Sequence, residues 1–306
     1  MPRQNAPISV EARRGGIVES RHEVVAVLVD EAGTELTRYG DADVTTYWRS
    51  SAKPFQAIPW LRDGTVDHWG WGSRELAVMC ASHTGAPEHV ELVRRMLADI
   101  GLSEADLGCG REPNAAHECS GNHVGMLAAC VYHGWDVVTY QGLDHPAQRA
   151  GLDAVAEAAG MDRADVVVGV DGCGVAAFAT PIAAAARAFA RLPQLSARIA
   201  DAMRAHPVLV MGEGKLDTVV MQIWPGAISK QGAEGLGCVR LPDGRALALK
   251  ALDGADRAVP PMQITLLTRL LGLDEVPEAA KALARRPTRN DRGAVVGELV
   301  AVLPDE

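Results

Sequence analysis

The chain has 306 residues, 48% of them hydrophobic and 23% charged, with a formal net charge of −9. That mix is globular, and a surface of that sign repels nucleic acid and anionic lipid, so a small molecule is the expected partner and local cations must hold any carboxylate it carries. No apolar run is long enough for a membrane span, residues 1–16 lack the apolar stretch of a secretory signal, and the six cysteines contain no Cys-x-x-Cys pair, so a reducing, cytoplasmic setting without a disulfide framework is expected.

Residues 24–29 form a nearly unbroken apolar run, as a buried strand does. The turn Asp30-Glu31-Ala32-Gly33 then returns the chain as a hairpin over 34–38, and a short strand follows around Val44. A helix is predicted from Ser50 to about Leu61, with Pro54 in its first turn, where a missing N–H matters little. A second helix starts at its cap Ser73 and ends in the 80–85 segment, and a third runs from Pro87 to about Ile100, stopped by Gly101. Helices over 123–133 and 146–159 precede a strand over 166–170, which enters Asp171-Gly172-Cys173-Gly174. Two alanine-rich helices, 181–191 and 194–204, and a shorter one over 216–224 come next. Strands over 236–241 and 246–252, joined by Pro242-Asp243-Gly244, read as a hairpin. The last predicted helix spans 261–271, and a charged, proline-containing tail closes the chain. Strands at both ends with helices between them predict an α/β fold. Its sheet is built jointly from N- and C-terminal strands around a helical middle region, as one two-lobed domain over 1–306 and not a βαβ series.

The chemistry starts at Arg49-Ser50-Ser51-Ala52-Lys53. Residues three apart on a helix share a face, so Ser50 and Lys53 can meet. A lysine whose pKa is lowered by burial or by a neighbouring cation can take a serine proton and make the hydroxyl a nucleophile. Alone, the motif reads more readily as a capped helix with a solvated lysine, and the case rests on its companions. Ser82, in Cys80-Ala81-Ser82-His83, and Lys230, in Ser229-Lys230-Gln231-Gly232, follow in the order of the serine and late-lysine elements of penicillin-recognising enzymes. Two polar glycine clusters sit at the ends of apolar elements: His117 to His123 and Asp171 to Gly174. Cys119, His123 and Cys173 are candidate soft metal ligands, or buried thiols with a capping histidine. Arg49 and Asp171 are the candidates for holding the carboxylate and ammonium ends of an amino acid.

Seven segments in order (RSSAKPFQA, CASHTGAPEHV, CSGNHVGM, HPAQR, VDGCG, GEGKLDT and SKQGAEG) resemble the rhizobial-type L-asparaginases, the asparaginase II family, over about residues 20–270. The resemblance implies a serine β-lactamase/penicillin-binding-protein-like fold, hydrolysis of L-asparagine to L-aspartate and ammonia, and a homodimer. It also implies two serine–lysine pairs, Ser50 with Lys53 and Ser82 with Lys230. Members carry zinc on the cysteine and lysine of CSGKH and the cysteine of VDGC. Here those cysteines are Cys119 and Cys173, but Asn122 stands in the lysine's place, so zinc affinity should fall unless the adjacent His123 substitutes. No cofactor is required for serine–lysine hydrolysis. The rival readings are a hydrolase of another amide, such as glutamine or a β-lactam, and an amino-acid-binding protein without turnover.

Overall fold

The computed structural model describes residues 8–41, 43–110 and 114–304. These divide into two compact units: one of residues 1–45, 181–190 and 219–306, the other of residues 46–180 and 191–218.

The first unit is built on an eight-stranded antiparallel sheet. Its strands are β1 (Ile8–Arg14), β2 (Ile17–Val29), β3 (Glu35–Tyr39), β7 (Ile228–Gly232), β8 (Leu236–Arg240), β9 (Ala246–Ala251), β10 (Arg285–Arg289) and β11 (Val295–Val302). The order is β10-β11-β1-β2-β9-β8-β7, with β3 also on β2. The apolar run at 24–29 lies in β2, paired to β9 from Val24↔Ala251 to Val29↔Ala246, and all six residues are buried. Burial on both faces explains why this stretch does not alternate. The helix Val259–Leu270 covers the sheet through Val259, Met262, Ile264, Leu266 and Leu267. Each such side chain contributes roughly 1.5–3 kcal/mol by leaving water.

The sheet therefore joins both ends of the chain, as the order of elements predicts, and extends further than predicted. The tail folds back as β10 and β11, and β11 pairs with β1 from Ser9↔Val302 to Arg14↔Gly297. β11 (VVGELVAV) is largely apolar, a strand pattern that reading the tail as rich in charge and proline passes over, whereas β10 has three arginines and a proline in five residues. Cross-strand pairing supplies what local pattern lacks.

The second unit is mostly helical. Its small sheet, β4 (Thr45–Tyr47), β5 (Val167–Val170) and β6 (Ala176–Pro181), has the order β4-β6-β5. The helix Ser120–His133 runs through its core and is buried from Ser120 to Cys130. It packs against the helix Ser73–Met79 at Gly121, where a Cβ would stand 2.1 Å from the Val78 carbonyl oxygen. The Ser120–His133 helix begins three residues earlier than predicted, which makes Ser120, Gly121 and Asn122 helical. The predicted cap at Ser73 shifts by one: the Gly72 N–H donates to Glu75 Oε2 at 2.7 Å, and Ser73 is the first helical residue. The single helix predicted from Ser50 is instead a 3₁₀ turn, Arg49–Ala52, followed by Lys53–Gln56 and Ile58–Arg62. Pro59 has no N–H to give the preceding turn, which accounts for the break at Ala57. The helix Pro146–Ala159 matches its prediction, whereas Pro193 lies inside the helix Ile182–Leu195 instead of before a new one. No helix of the described residues is long and apolar enough to cross a membrane.

Candidate active site

The turn that carries Ser50 is pinned from the small sheet. Trp48 N–H donates to Phe178 O at 2.8 Å, and its indole Nε1 donates to Thr180 Oγ1 at 2.8 Å. The next residue, Arg49, is one of two described non-glycine residues with positive φ, at 48°. That backbone is disfavoured by about 1–3 kcal/mol for a side chain with a Cβ, and such outliers gather at functional sites. It swings the guanidinium onto Asp171 in a bidentate pair, Nε to Oδ2 at 3.0 Å and an Nη2 bond to Oδ1 at 3.1 Å. Asp171 sits in the hairpin loop between β5 and β6, closed by Asp171 N–H to Val175 O at 2.8 Å. Gly174 in this loop has φ of 93°, and a Cβ there would meet Gln141 Nε2 at 2.3 Å. Gln141 uses that nitrogen to hold the Cys173 carbonyl at 2.7 Å.

Arg49, Ser50, Lys53, Cys119, Asn122, Asp171 and Cys173 line one cleft of about 10 Å³, together with Gln56, Val175 and Ala176. Seven of the ten residues singled out from sequence thus converge. The space is about that of one water molecule.

Lys53 is 4% exposed, and its three N–H donors are all taken: by Ala81 O at 2.6 Å, Ser82 Oγ at 3.0 Å and Cys119 Sγ at 3.3 Å. The expected Ser50–Lys53 hydrogen bond is not formed among the described residues. The Lys53 amine instead reaches acceptors from two other segments: the Ala81 carbonyl and Ser82 hydroxyl just past the Ser73–Met79 helix, and the Cys119 sulfur. Ser50 is half-buried and faces the cleft; Ser82 is the serine hydrogen-bonded to Lys53.

The charge state differs from the sequence expectation as well. Burial alone would lower the Lys53 pKa, but the negative charges of Cys119 and Glu118 and the hydrogen bond to Cys119 outweigh it, so Lys53 is held above its ordinary value as an ammonium. The counter-charge is Cys119. Its hydrogen bond from Cys173 and the neighbouring Lys53 and His117 hold its thiol far below the usual range, against burial. The Cys119 hydrogen bond and burial push Cys173 upward, leaving it the thiol that donates.

Sequence reasoning passed over His83, although it adjoins Ser82. The His83 N–H donates to Glu118 O at 3.2 Å, tying the Ser82 loop to the turn before Cys119. Gly85 N–H donates to its Nδ1 at 3.1 Å, so Nε2 carries the proton, 2.9 Å from Ser120 Oγ, which in turn donates to Ala115 O. Burial and the neighbouring His89 and Lys53 lower its pKa to about 3. The signal was its position within CASHTG, next to a site serine.

His123 is fully buried, with Nδ1 against Tyr140 Oη at 2.5 Å, and is not among the residues lining the cleft. Among the described residues no three His, Cys, Asp or Glu side chains converge as metal ligands. The donor set does not fit the family's zinc. Cys119 and Cys173 offer two sulfurs, but Asn122 brings only a neutral oxygen in place of the family's lysine nitrogen and His123 faces Tyr140 outside the cleft lining, whereas zinc takes at least three protein ligands of thiolate, imidazole or carboxylate type. Lys230 lies on β7 in the sheet unit, fully buried, with Nζ donating to Gln231 O at 2.9 Å.

Among solved structures the chain is similar to Mglu in its native form, at 14% identity over 82% of this chain and 64% of that one, with a TM-score of 0.48. It is also similar to a beta-lactamase from Mycobacterium bovis (16%, 81% and 94%, TM-score 0.40) and to a probable glutaminase from Bacillus subtilis complexed with 6-diazo-5-oxo-L-norleucine (12%, 82% and 84%, TM-score 0.36). Likenesses this distant bear on neither substrate nor mechanism, and the chain spans under two thirds of the length of Mglu. No curated protein matches the sequence. The L-asparaginase II family model, in contrast, matches residues 10–301. With nearly the whole chain matched, and three of its seven family segments meeting in one cleft, the chain belongs to the L-asparaginase II family of amidohydrolases.

Proposed function

We propose that the chain hydrolyses the side-chain amide of L-asparagine to L-aspartate and ammonia through a serine acyl-enzyme, without a cofactor. The observation that carries the reading is that Ser50 shares its cleft with the Arg49–Asp171 pair and Lys53. An amino acid presents one carboxylate and one ammonium. Arg49 takes the first and Asp171 the second, each exchanging its present partner for one of equal charge. Breaking that pair also opens a cleft that is now too small for an amino acid.

Ser50 Oγ attacks the amide carbon. Its proton needs a base, and Lys53 becomes one by passing a proton to the Cys119 sulfur 3.3 Å away, which converts an ion pair into amine and thiol with no net change. The tetrahedral oxyanion is met by N–H groups of the first turn, where helical donors lack partners. The carbon–nitrogen bond then breaks, and the nitrogen takes the Ser50 proton back from Lys53 through Ser82, to which Lys53 is already bonded. Water adds to the ester, the carbon–Oγ bond breaks, and Ser50 recovers its proton.

A second reading makes Ser82 the nucleophile, favoured by its 3.0 Å bond to Lys53. Ammonia release from L-asparagine and L-glutamine by wild type, Ser50→Ala, Ser82→Ala and Lys53→Met tests both. Trapping with an asparagine-shaped diazoketone, followed by peptide mass analysis, identifies the alkylated serine. Full activity in Lys53→Met discards the serine–lysine mechanism, and label on Ser82 alone selects the second reading.

A further inference from the structure

Asn122 is 3% exposed and lines the cleft. Its Nδ2 donates to Met79 O at 3.4 Å, while its Oδ1 is buried with no hydrogen-bond partner. The orientation is set by Met79, because the reversed amide would put two oxygens against each other. Among the described residues, Asn122 Oδ1 is the one buried side-chain atom of this cleft left without a partner. A buried acceptor in that state carries its full desolvation penalty until a donor arrives.

We infer that Asn122 Oδ1 receives a hydrogen bond from the substrate's side-chain amide N–H, and that this contact makes the cleft prefer an amide to an acid. The inference rests on the amidohydrolase reading, and the other polar groups lead to it. Arg49 and Asp171 match the two charged ends of an amino acid. Ser82 Oγ already accepts from Lys53 and does not line the cleft, and Lys53 and Cys173 donate to Cys119. The donor left on L-asparagine is its amide N–H₂, and of the acceptors lining the cleft, Ser50 Oγ and the Gln56 amide oxygen included, Asn122 Oδ1 is the buried one with no donor. The product carboxylate has no such donor. It turns lone pairs toward Oδ1, so the same atom that welcomes the substrate disfavours the product. An unpaired polar group discriminates more sharply than an apolar wall does.

The test is equilibrium binding of L-asparagine and L-aspartate, by calorimetry, to the full chain carrying Ser50→Ala and Ser82→Ala. It is repeated with Asn122→Leu, of similar shape but no acceptor, and with Asn122→Ala. With Asn122 present, asparagine binds at least about 10-fold tighter than aspartate, and in both variants the ratio falls to about 3-fold or less through weaker asparagine binding. A preference that survives in either folded variant overturns the assignment. So does one equivalent of zinc in the purified chain that is lost in Asn122→Leu, because Oδ1 would then be a metal ligand. Failure of the intact chain to release ammonia from any amide counts against the amidohydrolase reading alone, since the binding ratio is read on chains that do not turn over. Failure to bind either amino acid overturns both.

Discussion

Lys53 Nζ lies 3.0 Å from Ser82 Oγ and 3.3 Å from Cys119 Sγ, so the lysine joins a hydroxyl to a thiolate. A cation this deeply buried is tolerated because an anion is buried with it and every N–H is satisfied. In the proposed mechanism the resting site is an ion pair that stores the proton, and the base appears only when that proton moves to sulfur.

Lys53→Met should reduce ammonia release by about 10²–10⁴-fold, the usual contribution of a positioned acid–base group. The same change removes the cation beside Cys119, so the ultraviolet thiolate absorbance of the native protein should fall as well. Loss of activity with the thiolate intact would separate Lys53 from Cys119 and contradict the coupling.

Arg49→Gly keeps a backbone free to adopt the observed φ of 48° and removes the side chain with its guanidinium. We expect KM for L-asparagine to rise by at least about 10-fold, since charge-assisted hydrogen bonds contribute roughly 1.5–3 kcal/mol, with a smaller change in kcat. A fall in kcat at constant KM would place Arg49 in the chemical step.

At Gly121 an added methyl would sit 2.1 Å from the Val78 carbonyl oxygen. Gly121→Ala should therefore force the Ser120–His133 and Ser73–Met79 helices apart and lower stability by about 1–3 kcal/mol or more, read from urea midpoints. Asn122 is the next residue, so asparagine binding should weaken in parallel. An unchanged midpoint would mean that the two helices are not in this contact.

Acid should weaken the fold through His83. Its pKa is about 3 in the folded chain, against about 6.5 when unfolded, because burial disfavours the imidazolium. Below pH 6.5 the unfolded chain takes up a proton that the folded chain refuses. Stability is thus complete above that pH and falls on acidification until about pH 3. Between pH 6.5 and 5 the loss from this residue is on the order of 2 kcal/mol. Urea midpoints for His83→Gln should depend less steeply on pH over that interval than those of wild type.

Dialysis against a chelator should leave ammonia release within about twofold of the untreated protein, given how poorly two thiol groups and one amide suit zinc. Activity restored only by added zinc would reverse that judgement.

Local pattern determined a good deal. Apolar periodicity with a proline start and a glycine stop specified the helix Pro146–Ala159, and the Pro-Asp-Gly turn specified the hairpin of β8 and β9. The motif segments named Arg49, Ser50, Lys53, Cys119, Asn122, Asp171 and Cys173 before any coordinates placed them in one cleft. The identity of each partner was beyond local pattern. Lys53 bonds to groups 28, 29 and 66 residues away, and Arg49 to one 122 residues away. A lysine has several rotatable bonds, so spacing along a turn says which neighbours it can reach, not which acceptors the packed interior offers. For the same reason the charged, proline-containing tail showed no pairing partner for β11 until β1 supplied one, and only the tertiary structure could leave the Asn122 oxygen buried without a hydrogen-bond partner.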